Sequence, residues 1–257
     1  MPPYANFPIS FPLNPDARDA RAQQVTRWVA IIGLVAIFLT VAVQFQISTA
    51  NDLIPDANGK VDTNGAIARW TGMIPKFWAG ENIYTKDNLH PNMPFTVILL
   101  TPLTLMGPLM QAAVLSALKL AAMLATILMA ARLACDDDKP IADWVLGLAM
   151  LWSLQILISD IQHGNTNTFV LFFVTLHLWL FRKGRDLWSG AALAVAICLK
   201  MTPALFVFYW VYQRQWKLLG FTALWGVVFV GVVPALFVGP SQHILLTRTW
   251  LENLIIP

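Results

Sequence analysis

Leu187–Tyr212 reads LWSGAALAVAICLKMTPALFVFYWVY, 26 residues of apolar sequence with Lys200 and Pro203 near its middle. As one straight helix it would hold an ammonium ion at the centre of a bilayer, where ionised groups need a partner or a cavity. It would also hold a proline, which has no N–H and clashes with the preceding turn, in a helix interior. The alternative is a hairpin that turns at Lys200–Pro203. Each arm of about 13 residues is then roughly 20 Å long at 1.5 Å per residue. That is short of the ~30 Å hydrocarbon core. The turn therefore lies at membrane depth, where irregular backbone is tolerated only inside protein or beside a wet cavity.

The rest of the chain has the same character. Of 257 residues, 57% are apolar and 12% charged, with a mean hydropathy of +0.61. Soluble domains carry roughly 25% charged residues, so an ordinary cytosolic enzyme is excluded. Two cysteines, Cys135 and Cys198, exclude a disulfide scaffold and read as small packing residues. The net charge of +3 comes without a long basic run, so nucleic acid is not an expected partner. Further apolar spans are expected at Trp28–Ile47, Leu109–Ala131, Asp143–Ser159, Thr168–Phe181 and Leu218–Val238. Met93–Met106 is shorter and contains Pro94 and Pro102, so it reads as an interfacial or re-entrant piece. The expected fold is an all-α polytopic membrane bundle. It has a cytoplasmic N-terminal segment 1–27, a transmembrane domain 28–257 and one large outer loop, 48–93.

Charge sets the sides. With the hairpin kept and 93–106 not crossing, ten cations fall on the cytoplasmic side: Arg18, Arg21, Arg27, Arg132, Lys139, Arg182, Lys183, Arg185, Arg214 and Lys217. Five fall outside: Lys60, Arg69, Lys76, Lys86 and Arg248. Letting 93–106 cross reverses the bias to four inside and eleven outside. The positive-inside rule selects the first arrangement, with the N-terminus cytoplasmic.

Polar residues that break this background are candidates for chemistry. The outer loop carries Asp52, Asp56, Asp62, Arg69 and Glu81 beside Trp70, Trp78 and Tyr84. A carboxylate at the membrane surface can take a proton from an acceptor hydroxyl. His90-Pro91-Asn92-Met93-Pro94 leads into the short apolar run. Asp160-Ile-Gln162-His163-Gly164-Asn165-Thr166-Asn167 packs donors and acceptors between two spans, as a site for sugar hydroxyls or a phosphate would require. Lys200 has a lipid phosphate as a natural partner. Lys119, inside the 109–131 span, either pairs with a carboxylate such as Asp160 or reaches the same phosphate. No second ligand stands at metal spacing from His163, so no metal is expected.

In order along the chain, these features resemble glycosyltransferase family 87, of the GT-C superfamily. The features that carry the resemblance are Asp62, Gly80–Tyr84, the His90–Pro94 entry, Pro102-Leu103, the Gln162–Asn167 turn, the basic Arg182–Arg185 loop, Lys200-Met-Thr-Pro203 and Arg214–Lys217. The family includes polyprenol-phosphate-mannose-dependent α-(1→2)-mannosyltransferases and usually has longer chains, so this one is expected to be a C-terminally short form. The resemblance implies an integral protein of the bacterial inner membrane. It would move a hexose, mannose foremost, from a polyprenyl-phosphate sugar to a lipid or glycan acceptor on the non-cytoplasmic face, with inversion. Asp62 would be the base, and Lys200, Gln162, His163, Asn165 and Asn167 would bind the donor. Asp56, Asp160, Lys119, Arg69 and His90 are secondary candidates. No cofactor beyond the donor substrate is implied. The alternatives are a flippase for lipid-linked sugars, with the same broken helices but no need of Asp62, and an inactive scaffold subunit.

Overall fold

The computed structural model describes residues 66–85, 92–134 and 143–254, together with 24–29 and scattered positions between 32 and 44. All described residues between 24 and 44 are helical, and no strand occurs among the described residues. The helices are α1 (Ala66–Trp78), α2 (Pro94–Thr104), α3 (Pro108–Ala134), α4 (Asp143–Gln162), α5 (Asn167–Arg182), α6 (Asp186–Leu199), α7 (Leu205–Tyr212), α8 (Trp216–Gly226), α9 (Val233–Val238) and α10 (Pro240–Leu254). A π-helical stretch, Val227–Val232, joins α8 to α9 without a break. Among the described residues, two helical runs are long and apolar enough to cross a bilayer, Leu109–Ala134 and Trp216–Val238, with 26 and 23 residues. The second is mostly exposed along its length. Leu236, Phe237, Val227 and Leu224 all face outward from it, as a lipid-facing or protein-facing surface requires.

The apolar runs 109–131, 143–159, 168–181 and 218–238 become helices with nearly the expected ends, whereas Trp28–Ile47 lies only partly within the described residues. The Leu187–Tyr212 stretch is broken as expected. α6 ends at Leu199, Lys200 is extended, and a 3-10 turn at Thr202–Ala204 starts α7. The chain doubles back there. Ser189, near the start of α6, and Trp210, near the end of α7, both bond to the same side chain, His177 of α5. The indole N–H of Trp210 donates to His177 Nε2 at 2.7 Å, and the Ser189 hydroxyl donates to the His177 carbonyl at 2.9 Å. His177 and Ser189 are fully buried.

α6 is the centre of the bundle, packed between α5 and α8, and α3 lies against the outer side of α5. Gly190 makes the α6–α8 approach possible. A Cβ there would stand 2.8 Å from the backbone N of Thr222 and 2.9 Å from the backbone carbon of Phe221. At one end of the bundle, Arg182 Nη1 donates to the carbonyls of Arg132 and Leu133, at 3.0 and 2.8 Å. A guanidinium is well suited to those last carbonyls of α3, which have no helical partner.

Two helices went unread in the sequence. The first lies within the expected outer loop. Ala66, Trp70, Ile74 and Phe77 recur at intervals of four, four and three and are all buried, so α1 is an amphipathic helix despite Pro75. The second, α10, follows Gly239, whose φ is +84°. It buries Leu246 and Trp250.

Candidate active site

The polar breaks converge on one cavity of about 430 Å³. That volume lies within the range of sites for small organic ligands, roughly 300–1,000 Å³. Five segments form its wall: the start of α1, Asn92–Met93, Asn165–Asn167, the end of α6 through Thr202, and Trp250. All five lie on the side that charge counting assigns to the outside. The basic Arg182–Arg185 and Arg214–Lys217 turns lie at the other ends of α5, α6, α7 and α8.

Lys200 is one of two cations in the wall. It is exposed, and its Nζ donates to Asn167 Oδ1 at 2.9 Å. Asn167 opens α5, so the positive end of a 16-residue helix dipole and an ammonium group face the same space. Both favour an anion. Arg69, also exposed, lines the cavity from α1. Trp70, Met73 and Trp250 supply apolar wall.

A buried ion pair holds the turn that carries Asn165 and Asn167. Lys119 Nζ lies 3.0 Å from Asp160 Oδ2 and donates to the Asp160 carbonyl at 2.6 Å. The same Oδ2 accepts from the Thr168 hydroxyl at 2.7 Å and from the Thr168 N–H at 3.3 Å. Asn165 N–H reaches the Asp160 carbonyl at 3.2 Å. Gly164 supports the turn with φ +65°, a conformation that costs glycine little. The turn is tied to α1 by Ala66 N–H, which donates to the His163 carbonyl at 2.9 Å. Of the two partners open to Lys119 in the sequence, the structure shows Asp160.

The remaining expected residues are placed differently. His163 is exposed and absent from the wall, and its Nδ1–H points to the Ser159 carbonyl at 2.7 Å, which assigns the proton to that nitrogen. Gln162 ends α4, and its side chain lies outside the described residues, as do Asp62, Asp56 and His90. Asn92 lines the cavity, and its carbonyl accepts from Tyr84 Oη at 2.8 Å. Tyr84 is fully buried, and that burial pushes its phenol pKa up. α10 closes the edge. Asn82 Nδ2 donates to Thr249 Oγ1 at 3.1 Å, and Gln242 Nε2 donates to the Gly80 carbonyl at 2.9 Å. Trp70, Met73 and Trp250 were not anticipated as wall residues. The α1 periodicity offered a signal for the first two, whereas nothing local marks Trp250.

Comparison with curated proteins gives no match, and comparison with solved structures gives none. The model of glycosyltransferase family 87 matches residues 91–255. That span includes the Asn92 entry, the Asp160–Asn167 turn, the Lys200 break and Trp250. It covers more than half of the sequence, and so the chain belongs to glycosyltransferase family 87 and is a glycosyltransferase.

Proposed function

We propose that the protein is a GT-C-type enzyme of the bacterial plasma membrane. It transfers a hexose, mannose foremost, from a polyprenyl-phosphate sugar to a lipid or glycan hydroxyl on the non-cytoplasmic face. The observation that carries this reading is the meeting of Lys200 and the N-terminus of α5 at one cavity beside α1. A phosphate-linked donor needs such an anion-favouring wall, and the sugar needs the amide and apolar groups around it.

The proposed chemistry is a single displacement. The Asp62 carboxylate takes the proton of the acceptor hydroxyl as its oxygen attacks the anomeric carbon. The bond from that carbon to the phosphate oxygen breaks, and polyprenyl phosphate leaves with one more negative charge. Lys200 and the α5 N-terminus stabilise that charge where it develops. Asn165 and Asn167 orient the donor. Asp62 precedes Ala66, a wall residue, by four positions. Four residues span at most about 14 Å from Cα to Cα.

The test uses membranes bearing the protein, a radiolabelled polyprenyl-phosphate mannose and native lipid extract. Label should pass to a new product with wild type and not with Asp62→Asn. Equal transfer by the two would remove Asp62 as base. An absence of transfer with every polyprenyl-phosphate sugar offered, by folded protein, would overturn the donor class.

A further inference from the structure

Lys119 and Asp160 stand behind the cavity, not in its wall, and the displacement above gives neither a task. We propose that they are positioning residues. Asp160 is the buried acceptor that fixes the turn carrying Asn165 and Asn167, and Lys119 is the cation that holds Asp160 in place. The inference rests on the reading of the cavity as the donor site.

The geometry is economical. One ammonium group, fully buried on α3, grips both the carboxylate and the main-chain carbonyl of Asp160, at 3.0 and 2.6 Å. Asp160 then holds both ends of the turn. Its carbonyl takes the N–H of Asn165, and its carboxylate takes the hydroxyl and N–H of Thr168. Asn167, between those two anchors, accepts from Lys200. A path of hydrogen bonds, closed by the peptide link between Asn167 and Thr168, thus runs from α3 through the α4 terminus and the first turn of α5 to the Lys200 break. It is tied laterally to α1 by Ala66 and His163.

Burial excludes the other tasks for these groups. Lys119 has no exposed surface and is held at two points, so it does not reach a ligand in the cavity. Asp160 Oδ2 is filled by three donor groups, and Oδ1 is buried with no hydrogen-bond partner and outside the cavity wall. A buried ion pair is weak evidence for stability, because well-packed apolar residues often replace one without loss. What an apolar pair cannot replace is the acceptor at Thr168. Removal of that acceptor frees the turn, and a shift of about 1 Å at a catalytic constellation can cost on the order of 100-fold.

The experiment titrates the purified full chain in nanodiscs with undecaprenyl phosphate, following tryptophan fluorescence, and records the thermal unfolding midpoint of each variant. Lys119→Met/Asp160→Asn removes both charges and keeps an acceptor for Thr168. Lys119→Met/Asp160→Ala removes both charges and the acceptor. The first should bind within about threefold of wild type, and the second at least ~10-fold more weakly at a similar unfolding midpoint. Thr168→Val, which leaves the ion pair intact, should weaken binding several-fold.

Equal affinities for the two double variants would overturn the inference. If the alanine variant does not fold, Thr168→Val decides, and unchanged binding by it overturns the inference. Lys200→Gln separates the two levels. If it binds the probe as wild type does, the donor-site reading falls and takes this inference with it. If it loses binding while the double variants match each other, only the positioning role falls.

Discussion

Lys200 donates a hydrogen bond to the side-chain carbonyl of Asn167 at 2.9 Å, joining two breaks in the helical bundle that lie 33 positions apart in the chain. One break is the start of α5, and the other is the turn of the α6–α7 hairpin. Neither is a site alone. Together they put an amide and an ammonium at the mouth of one cavity.

This pairing predicts a charge effect at Asn167. Asn167→Asp keeps the shape, strengthens the hold on Lys200 and adds a negative charge where the donor phosphate is placed. Two unit charges about 4 Å apart interact by about 1 kcal/mol in water and about 4 kcal/mol at a surface-like dielectric of about 20. Donor KM should therefore rise at least about fivefold. Asn167→Ala, which adds no charge, should raise it less. An aspartate variant no worse than the alanine variant would contradict an anion at this position.

Gly190→Ala should destabilise the bundle. Alanine gains up to about 1 kcal/mol in helix propensity. Overpacking a close contact costs about 1–3 kcal/mol, and here the neighbours are backbone atoms of Phe221 and Thr222, which cannot rotate away. The net loss, read as a lower thermal midpoint in detergent, checks the α6–α8 approach. A midpoint above that of wild type would refute it.

Trp210→Phe should cost about 1–3 kcal/mol, because it leaves the buried His177 Nε2 without its donor. The residue lies at the far end of the hairpin from Lys200, so thermal stability should fall while donor KM stays near that of wild type.

The helical frame was largely legible in the sequence, because in the spans length and hydrophobicity are local properties. Lys200 and Pro203 also announced their break, since each is costly in a helix at membrane depth. α1 was legible in principle through the 66, 70, 74, 77 spacing, but the surrounding charges and Pro75 disguised it as loop. The candidate site was legible only in pieces. The Asn165–Asn167 turn and Lys200 could be singled out by polarity alone. Their meeting, and the arrival of Trp250 from α10, depend on how α5, α6 and α10 pack. Lys119 shows the limit most clearly: a cation in a span must have a partner, but whether that partner is a carboxylate or a ligand is a tertiary fact.

Tyr84 makes stability depend on pH at the alkaline end. Its phenol pKa is raised by burial, so the folded state favours the protonated form. That contribution is complete below the unfolded phenol pKa of about 10. It is lost as pH rises above that value, because only the unfolded chain ionises readily. Tyr84→Phe should lower stability at neutral pH by about 1 kcal/mol through the lost bond to the Asn92 carbonyl. It should also flatten the decline between about pH 10 and 12. Parallel stability curves for the two proteins would contradict the buried phenol.

The central claim is that the cavity around Lys200 binds the phosphate of the donor. The most direct measurement is the rate of label transfer from polyprenyl-phosphate mannose by wild type and by Lys200→Gln, at matched amounts of folded protein. Removing one preorganised charge from a developing phosphate anion should lower kcat/KM by about 10²–10³. A variant that transfers label within about twofold of wild type would contradict the claim.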